Sequence, residues 1–199
     1  MMTFLHTALA TFDRTYDKGG KSCDGEGKCS YQKDWNGYIE WSKLAHLSEL
    51  VSLDGMINET LVVPDYDDGD DWNFIHNDGK YLTHFYTSVD YVLKRMEPQD
   101  KFNLLTVVVA PDRDCKNISI NGYEFVGYDL LDKEYGNSAL TNCGGFDETF
   151  LGSDLNDKGL IDDFVKAYDI KKRLLENNPN EHHADTNVIA VWRHKAIGR

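Results

Sequence analysis

The sequence predicts an α+β fold: a single domain with a mixed or antiparallel sheet of about four to six strands and about three main helices. Three observations carry that reading. Residues 102–110 (FNLLTVVVA) hold a continuous β-branched run, Thr106–Val109, the pattern of a central strand covered on both faces. Residues 81–96 and 160–175 repeat apolar side chains every three or four positions, the spacing of an amphipathic helix. Residues 122–146 (GYEFVGYDLLDKEYGNSALTNCGGF) combine a dense aromatic and aliphatic run, a turn-rich break and a second apolar pair, which reads as two strands of one sheet.

Along the chain, residues 3–12 are apolar and fit either a short helix or a strand. Residues 13–37 hold five glycines among polar groups, the composition of a long flexible loop. Trp41, Leu44, Leu47 and Val51 recur at helical spacing, so a helix is predicted over 41–53. Leu61, Val62 and Val63 suggest a strand stopped by Pro64, and Trp72, Phe74 and Ile75 a second short one. In the 81–96 helix, Leu82, Phe85, Val89, Val92 and Met96 share one side, Lys94 and Arg95 favour the C-terminal end, and Pro98 marks the stop. Ile118 and Ile120 suggest a brief strand within the polar connection 112–122. Residues 147–159 form an acidic connection. The 160–175 helix carries Ile161, Phe164, Val165, Tyr168, Leu174 and Leu175 on its expected apolar stripe, and residues 187–194 (NVIAVWRH) complete the sheet.

The 199 residues suit one domain spanning 1–199. A hydrophobic share of 41% can fill a core, which argues against general disorder. The formal charge is −13, from 34 acidic and 21 basic residues. No basic patch is present to meet a phosphate backbone or an anionic bilayer, so neither nucleic acid nor a membrane is expected as a partner. A basic protein partner fits the charge. No stretch reaches the length of a membrane helix and no secretory signal stands at the start, which points to a cytoplasmic, reducing setting. The four cysteines are Cys23, Cys29, Cys115 and Cys143. Cys23 and Cys29 could bridge in an oxidising compartment, but their spacing is longer than that of paired zinc ligands.

Three sets of residues could carry chemistry. Cys143, followed by Gly144 and Gly145, could act as a thiolate nucleophile beside backbone N–H groups. His182, His183 or His194 could then serve as its base, with Asp129 or Asn142 orienting the imidazole. The second set is the acidic run DYDDGDD. Its carboxylates suit a hard cation, but Gly69 is misplaced and no Glu closes a calcium loop, so no metal is expected there. As a docking surface, Asp67, Asp68, Asp70 and Asp71 would meet Lys or Arg on a basic protein, with Tyr66 and Trp72 as anchors. The third set, the remaining histidines, lacks ligand spacing. The chain has no phosphate-binding glycine loop, dinucleotide fingerprint, zincin motif or serine nucleophile elbow, and no cofactor is expected. Two function classes follow. One is an acidic protein-binding module, inhibitor- or immunity-like in physical character. The other is a Cys-nucleophile hydrolase or transferase centred on Cys143.

Overall fold

The computed structural model describes residues 2–16, 34–55, 57–58, 60–63, 85–141 and 149–199. The acidic run with Tyr66 and Trp72, the expected strand at Trp72–Ile75, most of the 13–37 loop, and Cys23, Cys29 and Cys143 lie outside the described residues.

Four strands build the main sheet: β1 (Leu5–Ala10), β4 (Phe102–Val109), β5 (Tyr123–Asp132) and β6 (Thr186–His194). They run in the order β1-β4-β6-β5, each antiparallel to its neighbour. β2 (Phe12–Asp13) and β3 (Glu49–Leu50) form a separate two-stranded ribbon. The helices are α1 (Trp35–Ser42), α2 (Val89–Arg95) and α3 (Phe164–Asn177). Among the described residues, six strands in two sheets and three α-helices make this a single α+β domain, as the sequence predicts.

β4 is central and buried along its length, the position its β-branched run predicts. Alternation along β4 and β6 sends their side chains to the two faces of the sheet. Val108, Val188 and Ala190 pack with Ala167, Ile170 and Leu174 of α3. Leu105, Val107, Ile189 and Val191 pack with Val51, Leu53, Phe85 and Leu160 on the opposite face. Both sheet edges are covered. Tyr86 and Thr60 bridge to β1, and Ile161 bridges to Tyr128 on β5. Such cover blocks pairing with other chains. Gly127 makes the β5 edge possible. At φ +141° it sits in a bulge, and a Cβ there would lie 2.7 Å from Leu160 Cβ.

Several expected boundaries move. The helix predicted over 41–53 is instead α1, which starts at Trp35 and stops where Lys43 turns left-handed at φ 62°. Asp34 caps it by accepting from the Gly37 N–H at 2.8 Å. Leu44, Leu47 and Val51 are buried, but from largely non-helical chain, so their spacing imitates a helical face. α2 begins at the Ser88 cap, because Tyr86 exchanges two backbone hydrogen bonds with His6 and is committed to the sheet edge. Leu160 and Ile161 are likewise held beside β5, so α3 begins after the Asp163 cap. Val165 and Leu175 point to solvent instead of joining the apolar stripe. Leu61–Val63 forms only an isolated bridge at Val62, and Ile118 and Ile120 form no strand. The second strand expected after β5 is a 3-10 turn, Ala139–Thr141, with a single bridge from Ser138 to Leu131. Its cause is polar, as the site below shows.

Candidate functional site

β5 organises the site because strand alternation sends nearby carboxylates to opposite faces. Asp129 and Asp132 lie three positions apart, and both are fully buried, as is Asp54.

Asp129 meets the 52–54 segment. It accepts from the Leu53 N–H at 2.7 Å, its own neighbour Leu130 N–H at 2.8 Å, the Ser138 hydroxyl, and the Ser52 hydroxyl at 3.4 Å. Asp54 accepts from the Ser138 N–H at 3.1 Å and the Thr141 hydroxyl at 2.6 Å. Ser138 thus gives its hydroxyl to one buried acid and its N–H to the other, and Thr141 follows it. This pulls residues 138–141 into a tight turn in place of a strand. Burial pushes the Asp129 carboxyl above the usual carboxylate range, against the opposing pull of the Leu53, Ser138, Leu130 and Ser52 donors. Enclosure and fully engaged oxygens make this network structural: it ties the 52–54 segment to β5.

Asp132 faces the other way. It accepts from the Gly136 N–H at 2.9 Å, the Asn137 amide at 3.1 Å and His183 Nδ1 at 2.7 Å. His183 is half-exposed, with a side-chain accessibility of 46% against 0% for Asp132. A carboxylate behind Nδ1 fixes the hydrogen there and leaves Nε2 as the acceptor. Next to it, His182 Nε2 lies 2.9 Å from Glu134, with both side chains more than half exposed. His194 is elsewhere. Its Nδ1 accepts from the Ile197 N–H at 2.8 Å at the far end of β6, on the order of 25 Å of strand from His183. Of the three candidate histidines, His182 and His183 share one place and His194 does not. The carboxylate behind an imidazole is Asp132, three residues past the Asp129 that sequence reasoning singled out. No periodicity marks it, because only the fold reveals which face a strand residue takes.

A second feature is a charged, aromatic-flanked surface over 151–169. Leu151 and Val165 are large apolar side chains left 66% and 64% exposed. Asp154 links their segments, accepting from the Leu151 N–H at 2.8 Å and pairing with Lys166 at 2.7 Å. Asp157, Asp162, Asp163 and Asp169 are exposed nearby in sequence, and Phe164 and Tyr168 pack with ring centroids 4.9 Å apart, tilted by 59°, on α3. Leu44, Leu140, Phe150 and Leu151 line a mainly apolar hollow of about 210 Å³ beside it.

Cys115, the one described cysteine, is fully buried, and its thiol is pushed up to about 11 by burial and the neighbouring Asp114. It is an inert side chain. Among the described residues, no group of three or more His, Cys, Asp or Glu is placed to hold a metal ion, and no helix is long and apolar enough to cross a membrane.

No protein-family model, curated protein or solved structure matches the chain.

Proposed function

We propose that this chain is a protein-binding module that presents an acidic, aromatic-flanked face to a basic partner, in the manner of an inhibitor or immunity protein. The observation that carries the reading is that Leu151 and Val165 stand exposed on segments joined through Asp154, with exposed carboxylates in the same stretch and Leu151 lining an apolar hollow. An apolar centre inside a polar rim is the usual anatomy of a docking patch, and exposed large apolar side chains clustered this way mark interaction sites. The net charge of −13 steers a cationic partner in, and the hollow receives an apolar side chain from it. Asp67, Asp68, Asp70 and Asp71, with Tyr66 and Trp72, extend the same chemistry as further contacts. The immobilised chain is expected to retain a basic protein from its host at low salt and release it as salt rises. A Leu151→Asp, Val165→Asp variant with unchanged circular dichroism should fail to retain it. Equal retention by the variant removes this face from the account, and release independent of salt removes the charge argument.

The Asp132–His183 pair favours a second reading, a Cys-nucleophile hydrolase or transferase. An oriented imidazole with Nε2 open to solvent suits a general base. In that reading Cys143 supplies the thiolate and His183 takes its proton. Iodoacetamide should then alkylate Cys143 near neutral pH faster than an unperturbed thiol, and His183→Ala should slow it. Ordinary alkylation, indifferent to His183, eliminates the enzyme.

A further inference from the structure

We propose that a cleft at the end of the sheet opposite His183 binds a small zwitterion of the α-amino acid class. The cleft holds about 220 Å³ and lies between the β2–β3 ribbon and the start of β4, with the turn after β6 closing it. That is room for about seven waters, a volume suited to an amino acid and too small for a nucleotide.

Its walls differ in charge. From the ribbon come Asp13 and Glu49, which are direct cross-strand partners and therefore present two carboxylates on one side. Like charges so placed destabilise a ribbon unless a cation lies between them. Arg193, only 3% exposed, supplies part of that cation by pairing with Glu49 at 2.7 Å and with Glu124 at 3.2 Å. Asp13 receives no cation among the described residues; one of its oxygens accepts from the Thr15 N–H and hydroxyl. From the opposite side come Lys101, Asn103 and Arg199. Lys101 is exposed and makes no ion pair among the described residues. Arg199 shares Glu124 with Arg193, at 2.5 Å.

Asn103 is the deciding residue. It is 95% buried, yet its amide has no hydrogen-bond partner among the described residues, and it lines the cleft. Beside it, Arg193 Nε is buried without a hydrogen-bond partner, and a buried donor left so costs free energy that a ligand recovers. The polarity of the walls sets the ligand's chemistry. A carboxylate sits toward Lys101 and Arg199 with the Asn103 amide donating to it, and an ammonium sits between Asp13 and Glu49. In a chain of net charge −13, a cleft that offers the unpaired Lys101 opposite a pair of acids selects a zwitterion over a simple anion or cation.

The probes are the proteinogenic α-amino acids, offered one at a time at millimolar concentration to the full chain and followed by calorimetric titration and thermal unfolding. At least one is expected to bind and raise the unfolding temperature. Its binding should weaken about tenfold in each of Lys101→Ala, Asn103→Ala and Asp13→Asn. Unfolding of each ligand-free variant is measured alongside, so that a folding defect is recognised; Lys101→Ala, at an exposed position, retains the fold. No binding by any amino acid overturns the site. Acetate or inorganic phosphate binding as well as the best amino acid overturns the zwitterion. Undiminished binding in Lys101→Ala overturns the location.

Discussion

Replacing Asp129 by alanine tests how the 52–54 segment is held to the sheet. The substitution removes the acceptor of two buried backbone N–H groups, Leu53 at 2.7 Å and Leu130 at 2.8 Å, and of the Ser138 and Ser52 hydroxyls. Hydroxyls can rotate toward other acceptors, but the two N–H groups cannot. Each orphaned N–H costs about 1–3 kcal/mol, so together they cost about 2–6 kcal/mol. Loss of a carboxyl whose charge burial disfavours returns part of this. The expected net loss is about 3 kcal/mol, read from urea unfolding at neutral pH with an unchanged slope. The Ser138→Ala variant keeps the Leu53 and Leu130 partners but removes the hydroxyl that accepts from the buried Leu140 N–H at 3.1 Å, so it should lose about 1–3 kcal/mol. A loss under about 1 kcal/mol for Asp129→Ala would refute the reasoning, since the N–H groups would then have found other acceptors.

Further outcomes follow from other parts of the fold. Gly159→Ala should destabilise by about 1–2 kcal/mol or more in thermal unfolding, because φ is +78° and the new Cβ would lie 2.5 Å from Leu50 Cδ1. Unchanged stability would show that Leu50 and the turn yield freely. Cys115 should resist iodoacetamide in the folded chain: a rise from 9.0 to about 11 cuts its thiolate about a hundredfold, beyond the shielding of burial. Rapid labelling detected by mass spectrometry would contradict its placement. Acid stability should show two opposing parts. Asp114 and Asp157 are lowered by the Lys116 N–H and the Lys158 ammonium respectively, and in Glu124 and Asp154 burial is outweighed by Arg193 and Lys166. Their stabilisation is present above the unfolded carboxylate range and is lost as pH falls through their lowered folded values. Burial raises Asp129, so its contribution runs the other way, fullest in acid and lost as pH rises through its folded value. Asp129→Asn should therefore lose more stability between pH 7 and pH 3 than the parent chain, measured against its own value at pH 7. An equal or smaller loss would contradict the sign.

What the sequence made legible was apolar patterning on a regular element. The β-branched run of β4 and the closing NVIAVWRH strand stand where they were expected, because a buried strand needs no partner's identity to be read. The signal failed where tertiary contacts compete with it. Leu44, Leu47 and Val51 repeat at helical spacing but fill the core one by one from largely non-helical chain. Phe85 and Leu160 carry helical periodicity, yet each precedes its helix and packs in the core beneath the sheet. The turn at 138–141 depends on Asp54, more than eighty positions away, through the Thr141 bond. The Asp132–His183 pair joins residues 51 positions apart, and the 151–169 surface emerges only because α3 starts later and turns Val165 outward. Pairings of this kind arise from chain crossing and leave no local pattern.

The proposed function puts a basic partner on the acidic face around Leu151 and Val165. Amide hydrogen exchange of the chain, free and saturated with the basic protein it retains from its host, measures this most directly. Slowed exchange is expected over residues 151–169, with the amides around His183 unchanged. Protection confined to the segment around His183, with 151–169 exchanging as in the free chain, would contradict it.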